Sequence, residues 1–167
     1  QARVETALAE TLIAGRDYKK AITHYLHLQS LYREHPEIVP RRETQIEILE
    51  KLGDLYTKLD QFDHAVALFN SALETLKKDK TSRVERTIIE NHLANACIRL
   101  GKLDLAESIL RKNASLWENE FTPDEKSRVL NNRLADLLIL KGSYDEALGQ
   151  IERDISFFQK IRNRYLL

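Results

Sequence analysis

The 167-residue chain has one cysteine, three prolines, five glycines and no methionine. A single cysteine excludes an internal disulfide framework and any cysteine-rich zinc site. Eight Gly and Pro residues in all leave few places where a helix must stop, so the composition points to long helices. Charge of one sign is also missing, with 26 Lys and Arg set against 26 Asp and Glu. Nucleic acid and anionic membrane surfaces both require a basic footprint, so neither is expected as a partner. The balance holds in each quarter of the chain, with no basic or acidic tail. No apolar run approaches the ~18 residues of a membrane span. Together with the absent initiator methionine, these features lead us to expect an intracellular, cytoplasmic piece of a longer protein.

What is present is a repeat. The segments LIAGRDYKKAITHYLHL, YTKLDQFDHAVALFNSAL, CIRLGKLDLAESILRKNA and LILKGSYDEALGQIERDI align on Ala21, Ala65, Ala106 and Ala147, at intervals of 44, 41 and 41 residues. Three residues before each alanine stands Tyr18, Phe62, Leu103 or Tyr144, and four after it Tyr25, Phe69, Leu110 or Ile151. Thirteen before it is always leucine (Leu8, Leu52, Leu93, Leu134), and twelve before it a small residue (Ala9, Gly53, Ala94, Ala135). These spacings place one apolar face on each of two helices. The small residue on the first helix is expected to face the alanine on the second, so that the two backbones approach closely. Such a pair cannot bury its apolar face alone, and stacked neighbours complete the core.

These residues resemble tetratricopeptide repeats (TPRs). The second unit matches best, with Leu52-Gly53, Tyr56, Phe62, Ala65, Phe69, Ala72 and Leu73, followed by the fourth, with Gly142, Tyr144, Glu146, Ala147 and Leu148. The usual period is about 34 residues; the extra seven correspond to roughly two more helical turns per unit. Asn113 and Asp154 replace the small residue that the second unit has at Ala72. Longer-period versions resemble kinesin light chains, bacterial peptide-pheromone receptors and sensor arrays of large bacterial transcription activators. The resemblance implies an all-α fold, an α-solenoid wound as a right-handed superhelix. We expect one array of four units, about 1–38, 39–80, 81–120 and 121–163. Its eight helices are expected near 2–14, 17–34, 41–59, 61–78, 82–100, 102–117, 123–141 and 143–163. Thr122-Pro123-Asp124-Glu125 reads as an N-cap, a first-turn proline and a capping-box acid, and Ser82…Glu85 and Ser143…Glu146 as further capping boxes.

Catalytic and cofactor signatures are not evident. There is no phosphate-cradling glycine loop, His-Glu-x-x-His pair or nucleophile elbow, and we expect no enzyme activity, metal or cofactor. His24 and His27 share a helix face, but nothing at the right spacing completes a metal site. Cys97 and His92 lie about 140° apart around one helix, a poor nucleophile–base geometry. Cys97 instead occupies the core position of Leu12, Tyr56 and Leu138 in the other units. Trp117 is expected to pack against the following unit.

In stacked helix pairs the first helices line the inner wall. Residues fifteen, eleven and eight before each anchor alanine share one stripe of those helices. Fifteen before gives Thr6, Glu50, Asn91 and Asn132; eleven before, Glu10, Asp54, Asn95 and Asp136; eight before, Ile13, Thr57, Ile98 and Ile139. Lys51, His92 and Arg133 stand at its edge. Asparagine is a mediocre helix former, yet its amide both donates and accepts, as an extended peptide backbone requires. The expected site is therefore Asn91, Asn95, Asn132, Arg133, Asp136, Asp54, Ile98 and Ile139, holding a peptide or protein segment in a concave groove. The alternatives are asparagines that bond one another or neighbouring helices, and a small ligand sensed by a regulatory domain. The pattern of the family's two-carboxylate clamp is not met, because Thr6 and Glu10 stand where it needs Lys and Asn. At the C-terminal end Phe157, Phe158, Ile161 and Tyr165 form an apolar stripe, expected to meet further repeats or to self-associate.

Replacing Ala65 or Ala106 with leucine is expected to overpack its helix pair, at a cost of about 1–3 kcal/mol. Urea unfolding of the variants checks this, and wild-type stability in both would contradict the close-packing account.

Overall fold

The structure is a computed structural model that describes residues 2–35, 42–76, 83–129 and 133–165, without the side chains of Arg42, Ser127, Arg128 and 161–165. The described residues form helices and turns, with no strand. They fall into two compact units, Gln1–Ser82 and Arg83–Leu167. The first unit holds α1 (Ala2–Ala14), α2 (Tyr18–Glu34), α3 (Arg42–Lys58) and α4 (Phe62–Leu76). The second holds α5 (Arg83–Arg99), α6 (Leu103–Asn119), α7 (Pro123–Arg128), α8 (Leu134–Leu140) and α9 (Tyr144–Tyr165). Within them α1 packs on α2, α3 on α4, α5 on α6 and α8 on α9, so each expected helix pair is formed.

Each pair is closed by the same turn. The residue five before the anchor alanine is left-handed every time: Arg16 at φ 61°, Asp60 at 57°, Gly101 at 73° and Gly142 at 78°. The next residue's amide reaches back to the first helix, from Asp17 to Leu12 O, Gln61 to Tyr56 O, Lys102 to Cys97 O and Ser143 to Leu138 O, at 2.8–2.9 Å. The left-handed residue itself donates to the carbonyl three before it, at 3.0–3.1 Å. These two bonds make a Schellman motif, which satisfies the carbonyls a helix end leaves open. The second helix starts at once, because the anchor alanine donates to Asp17, Gln61, Lys102 or Ser143 at 3.0–3.2 Å. One short turn thus ends one helix, reverses the chain and begins the next.

The anchor alanines are buried, as are Ala9, Gly53, Ala94 and Ala135 twelve residues before them. At Gly53 the nearest neighbour is Phe69 rather than Ala65: an added Cβ would lie 2.5 Å from the ring. In the first unit Ala9, Ala21, Ile22, Tyr25, Leu28, Ile48, Leu52 and Leu55 form one core. Leu8 departs from the repeat and is 45% exposed, whereas Leu52, Leu93 and Leu134 are buried.

Helix ends agree with the sequence to within about two residues except over 123–141, where two helices stand in place of one. Thr122 caps α7 with the expected capping box: Glu125 N–H donates to Thr122 Oγ1 at 3.3 Å, and Thr122 N–H to Glu125 Oε2 at 2.9 Å. At Val129 the backbone leaves the helical region (φ −105°, ψ 53°). The Val129 side chain is buried there with Val84 and Phe121, and Ile88, Leu116 and Trp117 pack around them. Ser82 and Asn132 lie outside the described residues.

Nothing lies within 4 Å of a Cβ added at Gly101 or Gly142. Gly142→Ala therefore isolates the cost of a side chain in the left-handed region, expected at about 1–2 kcal/mol. Arg16→Gly removes that cost where the protein bears it and is expected to be neutral or stabilising by up to about 1 kcal/mol, after glycine's entropy is offset. Urea denaturation of both variants reads the two signs.

Candidate functional site

On α5 the stripe residues Asn95 and Ile98 are half-buried, one helical turn apart. On α8 Asp136 and Ile139 are exposed. Arg133, at the N-cap of α8, directs its Nη1 to Asp136 Oδ2 at 3.3 Å. Residues 133, 136 and 139 are three apart and share one side of the helix. Each of these two first helices of the second unit thus presents a polar residue followed one turn later by isoleucine. Asp54, the stripe residue of the first unit, is half-buried on α3. Asn132 lies outside the described residues.

Asn91 is used inside the unit. It is 4% exposed, as is Asn113 on α6, and its Oδ1 accepts a hydrogen bond from Asn113 Nδ2 at 3.0 Å. Burial of two amides is compensated only when they are bonded, so the pair ties α5 to α6 in one register. Among the described residues Asn113 Oδ1 has no hydrogen-bond partner. Beside the pair, Lys112 Nζ reaches the buried Glu90 at 2.7 Å and spans the same two helices. Sequence reading placed Asn91 on the stripe but did not pair it with Asn113. The signal was available, because Asn113 is a polar residue at the position of Ala72 and Leu28.

The other candidates are structural. Cys97 is fully buried, and its surroundings push the thiol pKa up; a protonated, inaccessible thiol is a poor nucleophile. His24 and His27 turn toward Glu5 on α1, with each Nδ1 on a different carboxylate oxygen, at 2.7 and 3.1 Å. A carboxylate only accepts, so both rings donate. The His24 hydrogen bond is the main reason that the Glu5 carboxyl lies below the ordinary range. Trp117 stacks edge-on to Phe157 at 4.6 Å, and its Nε1 donates to Lys126 O at 3.2 Å. Phe157 is therefore turned into the unit, whereas Phe158 is 42% exposed. The side chains of Ile161 and Tyr165 lie outside the described residues.

Charged residues lock α6 to the following pair. Lys141 meets Asp104 at 3.2 Å and also Glu107, while Arg111 Nε meets Glu107 at 2.8 Å and Arg111 Nη2 meets Glu146 at 2.9 Å. Lys141 first, and Arg111 second, hold the Glu107 carboxyl below its ordinary value. Glu146, the expected capping-box acid of α9, is thus paired with Arg111 of α6.

A tetratricopeptide-repeat family model matches residues 48–84, which cover most of the second repeat, about 39–80. Protein MRG3-like of Saccharomyces cerevisiae is 27% identical over 149 residues, covering 77% of this chain and 31% of that protein. Among solved structures, BtubC (BKLC) from P. vanneervenii superposes with a TM-score of 0.79 at 16% identity, over 96% of this chain and 64% of that one. The Rap conjugation gene regulator of plasmid pLS20, solved with the Phr* peptide, gives 0.75 at 20% identity, over 91% of this chain and 41% of the regulator. A kinesin light chain from Podosopora anserina with nearly identical TPR-like repeats gives 0.73 at 18% identity, over 95% and 74%. The chain thus spans about a third of the curated relative that it matches, and less than two thirds of BtubC and of the Rap regulator.

Asn91→Ala leaves the Asn113 amide buried without its acceptor and is expected to destabilise the chain by about 1–3 kcal/mol. Thermal or urea unfolding tests this; a variant as stable as wild type would remove the structural role. The repeated turns, the matched repeat and the similarity to solved arrays agree: this chain is a TPR-like α-solenoid.

Proposed function

We propose that the chain is an interaction module that holds an extended peptide or protein segment against the first helices of its repeats. The observation that carries this reading is the recurrence of a polar residue followed one turn later by isoleucine on successive first helices of the second unit, half-buried on α5 and exposed on α8. Asn95 and Ile98 form it on α5, and Asp136 and Ile139 on α8, with Ile139 47% exposed. Polar groups there are placed to meet peptide main chain, and the isoleucines to take its apolar side chains. The Rap regulator, similar in fold, has a peptide bound in its solved structure, which supports a peptide as the ligand. Asn91, 4% exposed and with its Oδ1 accepting from Asn113, is read as the support of the gripping set rather than a member of it. The proposed contact set is Asn95, Ile98, Arg133, Asp136 and Ile139, with Asp54 its counterpart in the first unit and Asn132 the neighbour of Arg133 in sequence. Balanced charge favours a protein or peptide over nucleic acid. No helix among the described residues is long and apolar enough to cross a membrane.

Selection from a random 12-residue peptide library displays the specificity directly. Selected peptides are expected to lose at least about tenfold in affinity, roughly 1.4 kcal/mol, on Asn95→Ala combined with Ile139→Asp, with the helical circular dichroism unchanged. Peptides that bind the double variant as well as wild type would overturn the assignment.

A further inference from the structure

In the first unit α2 packs on α3, and a cleft of about 360 Å³ stays open between the last turns of one and the first turns of the other. Gln29, Tyr32 and Arg33 line it from α2, and Gln45, Ile48 and Leu49 from α3. Both sets are spaced i, i+3, i+4, which puts each on one side of its helix. Ile48 is buried and Leu49 half-buried, while Arg33 and Gln45 are exposed. Tyr32 packs against the core of the unit. Among the described residues, none of the Gln29, Tyr32, Arg33 and Gln45 side chains has a hydrogen bond or ion pair. Unspent polar groups around an apolar floor are the make-up of a small-molecule site, and the volume is within the range of about 300–1,000 Å³ for such sites.

The second unit has the same place filled by its own side chains. Trp117, eleven residues after its anchor alanine, is the repeat counterpart of Tyr32, and Ala114 is that of Gln29. Trp117 and Ala114 border a space of only about 10 Å³, with Val129 against them, and Trp117 Nε1 is bonded to Lys126 O. The open cleft lies between the first and second repeats, so a further repeat at either end would not cover it. At 3.6 residues per turn, Gln45, Ile48 and Leu49 lie about 100–160° around α3 from Glu50 on the inner stripe. The cleft is therefore a separate surface.

Arg33 is the one charged residue among those described around the cleft. Its guanidinium matches a carboxylate in bidentate geometry, and a single cation suits one carboxylate better than a multiply charged phosphate group. Each glutamine amide both donates and accepts. We propose that this cleft binds a small-molecule carboxylate. Arg33 holds the acid, the Gln29 and Gln45 amides meet an amide or hydroxyl group beside it, and a short apolar body lies on Ile48, Leu49 and the Tyr32 ring. This site does not depend on the peptide reading of the first helices.

The test titrates the isotope-labelled chain with N-acetyl-leucine and with N-acetyl-phenylalanine, each compared with its neutral carboxamide, and follows NMR chemical shifts. At least one acid is expected to saturate with a Kd of about 1 mM or tighter and to shift the side-chain amides of Gln29 and Gln45. It is expected to bind at least about tenfold tighter than its carboxamide. Arg33→Gln, at an exposed position, is expected to lose the same factor with the melting temperature unchanged. No saturable binding of either acid, equal affinity of acid and carboxamide, or full affinity in Arg33→Gln would overturn the proposal. So would a tetrapeptide ending in the same residue that binds tighter than the free acid, because the occupant would then be a peptide C-terminus.

Discussion

Four left-handed residues set the geometry on which the rest of the chain depends. Arg16, Asp60, Gly101 and Gly142 stand at the same place in four turns and let the next amide close back on the helix just completed. The closing carbonyls belong to Leu12, Tyr56, Cys97 and Leu138, the core position that one sequence column shares. The turn therefore fixes where the second helix begins relative to the buried side chains of the first. With that start set, the anchor alanine falls in the first turn of the second helix each time, at 0–2% exposure. Two units can tolerate a non-glycine residue in a conformation that costs about 1–2 kcal/mol because packing on both sides of the turn leaves the chain no alternative route.

Beyond the turns, the units differ in how they hold their helices in register. The first unit relies on a continuous apolar core and, at its edge, on Glu5 bonded by His24 and His27. The second adds polar ties: Asn113, at the position of Leu28 and Ala72, bonds Asn91; Glu90 pairs with Lys112, the repeat counterparts of Glu5 and His27; and Lys141, Glu107, Arg111 and Glu146 form a chain of ion pairs. Buried polar pairs contribute little net stability but penalise any shift that would break them. This specificity fixes the relative placement of α5 and α8, the helices that carry the proposed contact set.

Much of this was legible in the sequence, for identifiable reasons. A repeat presents each physical requirement four times, so the alanine spacing, the leucine column and the pair boundaries stood out from single-copy noise. The left-handed position was visible as glycine in two units and hidden behind Arg16 and Asp60 in the others, where tertiary context overrides residue preference. The division of 123–141 was not visible, because Val129 fits a helical apolar pattern and leaves the helix only to fill the space beside Val84 and Phe121. At the candidate site the stripe was found by periodicity, which reports direction around a helix but not depth. Asn91 and Asn95 therefore read alike, although one lies under the surface and the other on it. Likewise Phe157 and Phe158 read as one apolar end, whereas Trp117 takes the first inward and leaves the second exposed.

Native-state hydrogen exchange tests the central claim most directly, that one closed turn recurs in all four helix pairs. The amides of Asp17, Gln61, Lys102 and Ser143 are in turns where solvent would otherwise reach them, and each is bonded in the structure. The account predicts that all four exchange at least about tenfold more slowly than unbonded turn amides. Unprotected amides at Asp17 and Gln61, with protection confined to the two glycine-containing turns, would contradict it.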